Sequence, residues 1–174
     1  MQRGWVIVVL LAIGCGPIEA ASPGTTKFEL VNVGSTMLYV QASGFSSQGV
    51  LGLSTGSGAL PFYDTCEICN CGPCPSCAVC GRGLAQVQPL QPGGSWTYDW
   101  DQRVFVVKQN GCRAGLDCEN PELVVPQSIT ATATYATSFA VDSTLGAADE
   151  YLVDPKSKTQ SFRHPAATVR IEIP

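Results

Sequence analysis

The chain has 174 residues, of which 45% are hydrophobic and only 14% are charged, and this length suits a single domain. Its formal net charge is −4. An acidic chain lacks the basic surface that nucleic-acid binding requires, so we exclude nucleic acid as a partner. The scarcity of charge, together with 18 Gly and 12 Pro, favours a β-rich secreted domain over a helical one.

The first 14 residues have the features of an export signal. Arg3 supplies a positive charge, and Trp5–Ile13 is an unbroken apolar run. This run is well short of the roughly 20 residues that a membrane-spanning helix needs, so it is typical of a signal-peptide core. Without residues 1–14 the chain loses one of its 10 basic residues and none of its 14 acidic ones, which gives a net charge of −5.

A cysteine follows the apolar run directly, in Leu11-Ala12-Ile13-Gly14-Cys15. A small residue before a cysteine at this place resembles the lipobox of bacterial lipoproteins. The resemblance implies cleavage before Cys15 and attachment of acyl chains such as palmitate to that residue. Two or more buried acyl chains are enough for stable membrane anchoring. Gly16, rather than an aspartate, further resembles lipoproteins of the bacterial outer membrane.

Ordinary secretion, with cleavage near Ala20, is the alternative. The number of cysteines favours lipidation, because the chain has 9 and an odd cysteine in a secreted protein requires an explanation. Assigning Cys15 to lipid leaves an even set. We therefore predict a signal peptide over 1–14, a lipidated tether over 15–26 and one domain over 27–174.

Alternating apolar residues bounded by turn signals predict a series of short strands. The predicted strands are Phe28–Asn32, Met37–Val40, Val50–Leu53, Val87–Leu90, Ser95–Trp100, Arg103–Lys108, Ser128–Val141 and Thr168–Ile173. Loops are predicted over 112–126 and 142–160. The inward face of the longest strand is expected to carry Ile129, Ala131, Ala133, Tyr135, Phe139 and Val141. With almost no helical periodicity, this pattern indicates an all-β, antiparallel β-sandwich.

Three turn regions carry a more specific signal. They are Leu90-Gln91-Pro92-Gly93, Trp100-Asp101, and Val125-Pro126 ahead of Thr134-Tyr135. Together they resemble immunoglobulin-like domains of the bacterial proteinase-inhibitor type, over about residues 87–141. Two departures are Gln102, where a glycine is usual, and Gln127-Ser128-Ile129 in place of Gly-x-Tyr. The resemblance implies an immunoglobulin-like β-sandwich and, as an alternative function, proteinase inhibition.

A cysteine-rich insertion, residues 64–83, is predicted between two strands of this domain. It carries Cys66, Cys69, Cys71, Cys74, Cys77 and Cys80, and no histidine. An exported chain folds where thiols oxidise, which favours disulfides, and Cys112 with Cys118 completes the even set. The short spacing of Cys112 and Cys118 makes theirs the first bridge that we expect. The connectivity of the other six stays open.

The same cysteines also match two other chemistries. Three Cys-x2-Cys pairs, starting at Cys66, Cys71 and Cys77, each have the spacing of half an all-cysteine zinc site, and thiolates also suit Cu(I). In addition, Cys71-Gly72-Pro73-Cys74 is identical to the active-site tetrapeptide of thioredoxins, although no βαβ pattern surrounds it here. Both uses require reduced sulfur, so disulfides are the preferred interpretation and metal binding is the alternative.

The remaining candidate residues favour structure over chemistry. His164 is the only histidine and is expected to be solvated in the approach to the last strand. The aromatic residues of one strand, Trp96, Tyr98 and Trp100, are expected to face the core. Four acidic residues lack the spacing of a calcium loop and are expected in a solvated loop: Asp142, Asp149, Glu150 and Asp154.

These observations predict a protein without enzymatic activity or cofactor. We expect an extracytoplasmic lipoprotein, anchored in a membrane through Cys15, that acts as a binding or structural module for a protein partner that the sequence does not identify. A thiolate module for zinc or copper and a proteinase inhibitor are the alternatives.

Overall fold

The structure, a computed structural model, describes residues 24–43, 49–63, 69–71, 85–109, 117–143 and 148–174. The predicted signal peptide and Cys15 lie outside these ranges. Within them the chain forms β-strands and no helix, which confirms the all-β class. It follows that the described residues contain no helix of the length and apolar character that crossing a membrane requires.

The strands pair into five sheets within the described ranges. They are β1 (Thr26–Asn32), β2 (Leu38–Ser43), β3 (Leu51–Thr55), β4 (Gly58–Leu60), β5 (Cys69–Asn70), β6 (Gln86–Leu90), β7 (Ser95–Trp100), β8 (Arg103–Lys108), β9 (Cys118–Leu123), β10 (Ser128–Tyr135), β11 (Ser138–Asp142), β12 (Asp149–Val153), β13 (Lys156–Arg163) and β14 (Thr168–Ile173). The sheet orders are β14-β1-β7, β13-β10-β3-β4, β11-β12, β2-β6 and β5-β9-β8. Pairing is antiparallel except between β1 and β14 and between β5 and β9.

Alternation of buried apolar and exposed polar side chains explains why β10 and β14 form strands. In β10 the side chains of Ile129, Ala131 and Ala133 are fully buried, and the residues between them face away from the core. Strand β14 repeats this pattern, with its apolar residues inside and its charged residues outside. Because successive side chains of a strand point to opposite faces, a period of two in hydrophobicity selects one buried face.

One hydrophobic core joins side chains from the β14-β1-β7 sheet, the β13-β10-β3-β4 sheet and the β2-β6 pair. Buried members of this core include Phe28, Leu30, Leu38, Val40, Leu51, Leu53, Leu90, Trp100, Ile129, Val169, Ile171 and Ile173. Each large apolar side chain that is fully buried contributes about 1.5–3 kcal/mol relative to exposure. The burial of these residues is therefore what holds the separate sheets together.

The predicted turn between β6 and β7 is confirmed. The Gly94 amide donates to the Gln91 carbonyl over 2.8 Å, and Gly93 between them has a φ of 75°. A proline followed by a residue with positive φ is the pattern of a type II turn, which favours glycine at the third position. Pro92-Gly93 thus supplies both conformations that the turn needs.

Gln102, in the turn between β7 and β8, adopts a left-handed backbone with a φ of 64°. Glycine takes this conformation at least cost, because side chains of L residues disfavour it. The Gln102 amide nitrogen donates to the Thr26 hydroxyl over 3.1 Å. That hydroxyl donates in turn to the Ala166 carbonyl over 2.7 Å, so the glutamine links this turn to β1.

Two segments predicted as loops contain strands. Strand β9 lies within 112–126 and pairs with β8 along its whole length, while β12 and most of β13 lie within 142–160. Strand β13 is at the edge of its sheet, and its residues from Lys156 to Ser161 are exposed on both faces. Such a strand has no apolar alternation, so its sequence is typical of a loop. Strand β4 was also not predicted.

The predicted strand over 128–141 is in fact two strands. Ala136 forms a separate backbone bridge to Tyr39, after which the chain leaves the β10 sheet and pairs with β12 as β11. Phe139 and Val141 are 39% and 53% exposed, so the prediction that they face inward was wrong. The apolar alternation continues past Ala136, but the residues beyond it belong to a different sheet, so the same parity no longer faces the core.

Asn32, at the end of β1, is a fully buried polar residue. Its amide nitrogen donates to the carbonyls of Thr36 and Leu90 over 2.8 and 2.9 Å. Its amide oxygen accepts the Gly34 amide over 3.0 Å. One side chain therefore closes the β1–β2 turn and fastens it to β6, and a buried amide with its donors and acceptor occupied stabilises a single arrangement.

We predict that Asn32→Ala lowers the free energy of unfolding by about 3 kcal/mol, because it leaves buried carbonyl and amide groups without partners. Urea unfolding followed by tryptophan fluorescence would measure the change. Gln88→Ala, on the exposed side of β6, is the matched control and should change stability by less than about 0.5 kcal/mol. Equal effects of the two substitutions would contradict this role of Asn32.

Candidate functional site: the anchorage of the cysteine-rich insertion

A disulfide joins the cysteine-rich insertion to strand β9. It links Cys71 to Cys118, whose Cα atoms are 5.0 Å apart and which are 47 residues apart in sequence. Beside it, β5 pairs in parallel with β9, with Cys69 opposite Cys118, and the Cys71 amide donates to the Glu119 carbonyl over 2.9 Å. The middle of the insertion is therefore attached by a covalent bond and by backbone hydrogen bonds to the β-sheets outside the insertion, which we call the β-sheet frame.

The expectation that Cys118 pairs with Cys112 was wrong, because Cys118 is bonded to Cys71. Short sequence spacing had favoured the local bridge, but the parallel register of β5 and β9 brings the distant cysteine to Cys118. Cys112 lies outside the described residues. So do Cys66, Cys74, Cys77 and Cys80, and the side chain of Cys69, so their predicted disulfides stay predictions.

The insertion begins beside the aromatic part of the core. Phe62 is buried, with its ring centroid 3.9 Å from that of Tyr63 and 6.3 Å from that of Trp100. The Phe105 amide of β8 donates to the Pro61 carbonyl over 2.7 Å. The chain is thus fixed by packing and by a backbone hydrogen bond immediately before the insertion starts.

The insertion ends at a second fixed point, where β12 borders the start of β6. The Ala85 amide donates to the Asp149 carboxylate over 3.0 Å, and the Glu150 amide donates to the Ala85 carbonyl over 3.0 Å. The Val87 amide donates to the Glu150 carboxylate over 2.7 Å. Charge-assisted bonds of this kind are about twice as strong as neutral ones. The predicted solvated acidic loop is therefore partly a structural clamp.

The row of aromatic residues on β7 faces the core, as predicted, but only its last member is completely enclosed. Trp100 is fully buried, and its indole nitrogen donates to the Arg103 carbonyl over 2.7 Å. Trp96 and Tyr98 are half-buried and stack in parallel with centroids 6.1 Å apart. Burial raises the pKa of Tyr98, with a smaller contribution from the Asp101 carboxylate. The row leads from the core towards the surface.

His164 is not the solvated loop residue that the sequence predicts, since its exposed fraction is 3%. Its ring lies 5.4 Å from that of Trp100, and its Nε2 donates to the Val124 carbonyl over 3.1 Å. Because a carbonyl only accepts, Nε2 carries a proton, and in the neutral ring Nδ1 is then unprotonated. Among the described residues Nδ1 has no hydrogen-bond partner. Burial lowers the pKa of His164, although the bond to Val124 partly opposes this.

The described residues do not bring together a group of three metal-ligating side chains. Most of the cysteines that would form a metal site lie outside the described ranges, so this finding concerns the acidic residues and His164. Asp149 and Glu150, which were expected to be solvated, are instead bonded to backbone amides. Sequence spacing gave no sign of this use, because their partners are more than sixty residues away.

Comparisons with known proteins do not assign the chain to a family. No protein-family model matches it, and neither a curated protein nor a solved structure matches it significantly. The geometry of the anchorage is therefore what the functional argument depends on.

We predict that Cys118→Ser releases one thiol and that this thiol belongs to Cys71. Alkylation of the denatured, unreduced protein followed by peptide mass spectrometry would identify it. Cys112→Ser is the control and should leave Cys71 and Cys118 unlabelled. Appearance of a free Cys112 in the Cys118→Ser protein would instead support the local bridge. The double variant Cys71→Ser/Cys118→Ser should lose about 2–4 kcal/mol of stability.

We predict that the protein loses stability as the pH falls below about 6.5, the ordinary pKa of histidine. The pKa of His164 is lowered in the folded state, so below that pH the unfolded chain binds a proton that the folded protein does not. The loss has a slope of at most about 1.4 kcal/mol per pH unit and ends at the folded pKa. Stability above pH 6.5 should not depend on this group.

Urea unfolding at a series of pH values from neutral to acidic would measure this dependence. His164→Gln is the matched variant, because its amide nitrogen can still donate to the Val124 carbonyl but it does not titrate. Contributions from carboxylates are shared by both proteins, so the difference between them isolates His164. Identical pH profiles of the two proteins would contradict the prediction.

Proposed function

We propose that this protein is a non-enzymatic binding module that a lipid on Cys15 anchors to the extracytoplasmic face of a membrane, such as the bacterial outer membrane. In this proposal the β-sheet frame presents the cysteine-rich insertion, residues 64–83, as part of its interaction surface. The observation that carries the proposal is the Cys71–Cys118 disulfide. It supports an oxidising compartment and explains how the described part of the insertion, residues 69–71, is attached to strand β9.

The proposed frame is an immunoglobulin-like β-sandwich. Two turns support it: the Pro92-Gly93 turn before the aromatic strand β7, and the left-handed Gln102 at the position where glycine is usual. The core between the β14-β1-β7 and β13-β10-β3-β4 sheets is compatible with a sandwich. The fold alone does not imply proteinase inhibition, which depends on the resemblance of residues 87–141 and is the weaker alternative.

The Cys71–Cys118 disulfide removes one of the three Cys-x2-Cys pairs that a zinc or copper site could use. A cysteine in a disulfide has no thiolate to give to zinc or copper, and Cys71 is bonded to Cys118. The same bond argues against thioredoxin-like chemistry, since that chemistry requires Cys71 to cycle with Cys74. Disulfide stapling of the whole insertion is therefore the better-supported use of its cysteines.

We predict that the protein fractionates with membranes and that Cys15→Ser releases it into the soluble extracytoplasmic fraction. Loss of the acylated residue removes the anchor that stable attachment requires. Ser22→Ala, in the tether, is the matched control and should leave fractionation unchanged. Membrane attachment that persists in Cys15→Ser would contradict the lipid anchor.

The intact mass of the purified protein tests the cysteine chemistry separately. We expect the mass of a fully oxidised chain with acyl groups, no metal and no free thiols under denaturing conditions. Free thiols accompanied by bound zinc or copper would support the metal module instead. The mass and fractionation results are independent, so each part of the proposal can fail without the other.

A further inference from the structure

A groove lies between the outer face of the β13-β10-β3-β4 sheet and strand β12. Its volume is about 370 Å³, within the range of roughly 300–1,000 Å³ that is usual for small-molecule sites. Gly52, Thr132 and Thr134 form its floor, and Tyr151 and Leu152 form a wall. The floor residues alternate with buried ones in β3 and β10, so their positions place them on the side of the sheet away from the core.

The floor continues as a surface of hydroxyl groups across the neighbouring edge strand. Directly opposite pairs on β10 and β13 are Thr130–Ser161, Thr132–Thr159 and Thr134–Ser157. Opposite residues share a face, strands lie about 4.8 Å apart, and successive residues of one face are about 7 Å apart along a strand. The hydroxyls of Thr130 and Ser161 are 3.1 Å apart. The sheet therefore presents a regular grid of neutral donors and acceptors.

The groove carries no charge on the lining residues that the structure describes. The polar groups there are the two threonine hydroxyls, the Tyr151 phenol and the Gln41 amide. The Gln41 amide nitrogen donates to the carbonyls of Gln86 and Glu150 over 3.0 and 3.1 Å, which holds that side chain in place. Ionic ligands are recognised through charged partners, so this lining selects against them.

The wall adds an apolar surface to this polar floor. Tyr151 is 48% exposed, and Leu152 lines the groove beside it. A half-exposed aromatic ring offers a flat face to C–H groups while its hydroxyl remains available to water or a ligand. Threonine is common in strands for conformational reasons alone. An uncharged hydroxyl floor beside an accessible aromatic ring is the combination that indicates a ligand.

We infer that this groove binds a neutral saccharide, either a short oligosaccharide or a segment of an uncharged polysaccharide. One sugar ring packs against Tyr151, and the hydroxyls of Thr132 and Thr134 exchange hydrogen bonds with those of the sugar. A longer chain extends over the hydroxyl grid of β10 and β13. The inference rests on the proposed role as a binding module and names its ligand class, but it depends on neither the lipid anchor nor the cysteine chemistry.

The test uses the full chain and a panel of uncharged probes. Cellohexaose, chitohexaose and maltohexaose are titrated calorimetrically, and the protein is incubated with insoluble cellulose and chitin and then sedimented. We expect at least one probe to bind with a Kd between micromolar and millimolar. Tyr151→Ala should weaken that binding about tenfold or more, and Thr132→Val should weaken it several-fold through loss of a hydroxyl.

Two control variants separate the groove from general effects on folding. Phe139→Ala removes a partly exposed aromatic side chain of β11, in the same hairpin, that is not among the described lining residues of the groove. Thr97→Val removes an exposed hydroxyl from β7, outside the groove. Both should bind the probe as the natural chain does, and thermal unfolding would verify that each variant is folded.

Three results would overturn the inference. They are failure of every probe to bind at millimolar concentration, binding that Tyr151→Ala and Thr132→Val leave unchanged, and binding of an anionic polymer such as polygalacturonate in place of the neutral probes. Membrane fractionation and disulfide content would stay as proposed in each case. The failure of saccharide binding is thus distinguishable from failure of the proposed anchoring and stapling.

Discussion

The packing around the Trp100 indole connects the parts of the molecule that carry its proposed function. The ring is fully buried, and its neighbours are Phe28 of β1, Phe62 before the cysteine-rich insertion, and His164 before β14. Truncation of a buried tryptophan to alanine typically costs about 3–5 kcal/mol. Here the loss would reach beyond one sheet, because the same ring supports the start of the insertion and the buried histidine.

The cysteine-rich insertion depends on this frame at three places. Phe62 packs in the aromatic core before it, the Cys71–Cys118 disulfide holds its middle, and the Asp149 and Glu150 carboxylates hold the chain after it. The disulfide is covalent, so it also constrains the unfolded chain and lowers the conformational entropy that folding must overcome. The aromatic packing and the carboxylate hydrogen bonds form only in the folded state and stabilise that state directly. The frame can therefore position a segment whose own sequence is poor in apolar residues for a core.

Most of the strands that sequence reasoning predicts correctly have one face against the core. In β7, β10 and β14, apolar residues recur at every second position because the partner sheet requires it. The strand β13 is exposed on both faces, and β9 contains Pro121 and derives its position from pairing with β8. Neither strand therefore shows an alternating pattern of apolar residues. The same limit applies to His164 and Cys118, whose partners lie in segments that only the folded chain brings near.

The hydrogen bonds that anchor the end of the insertion also affect where charge lies on the neighbouring surface. The chain is acidic overall, with a formal net charge of −4, yet the Asp149 and Glu150 carboxylates of β12 bond to backbone amides of the β6 region. The clamp therefore directs these two charges towards the β6 backbone, while Tyr151 and Leu152, the next residues of β12, line the groove. A single strand thus separates its charged anchoring groups from its neutral recognition groups. Because the described lining is uncharged, ligand selection there depends on hydrogen bonding and on the shape of the aromatic wall, and ionic strength should have little influence on it.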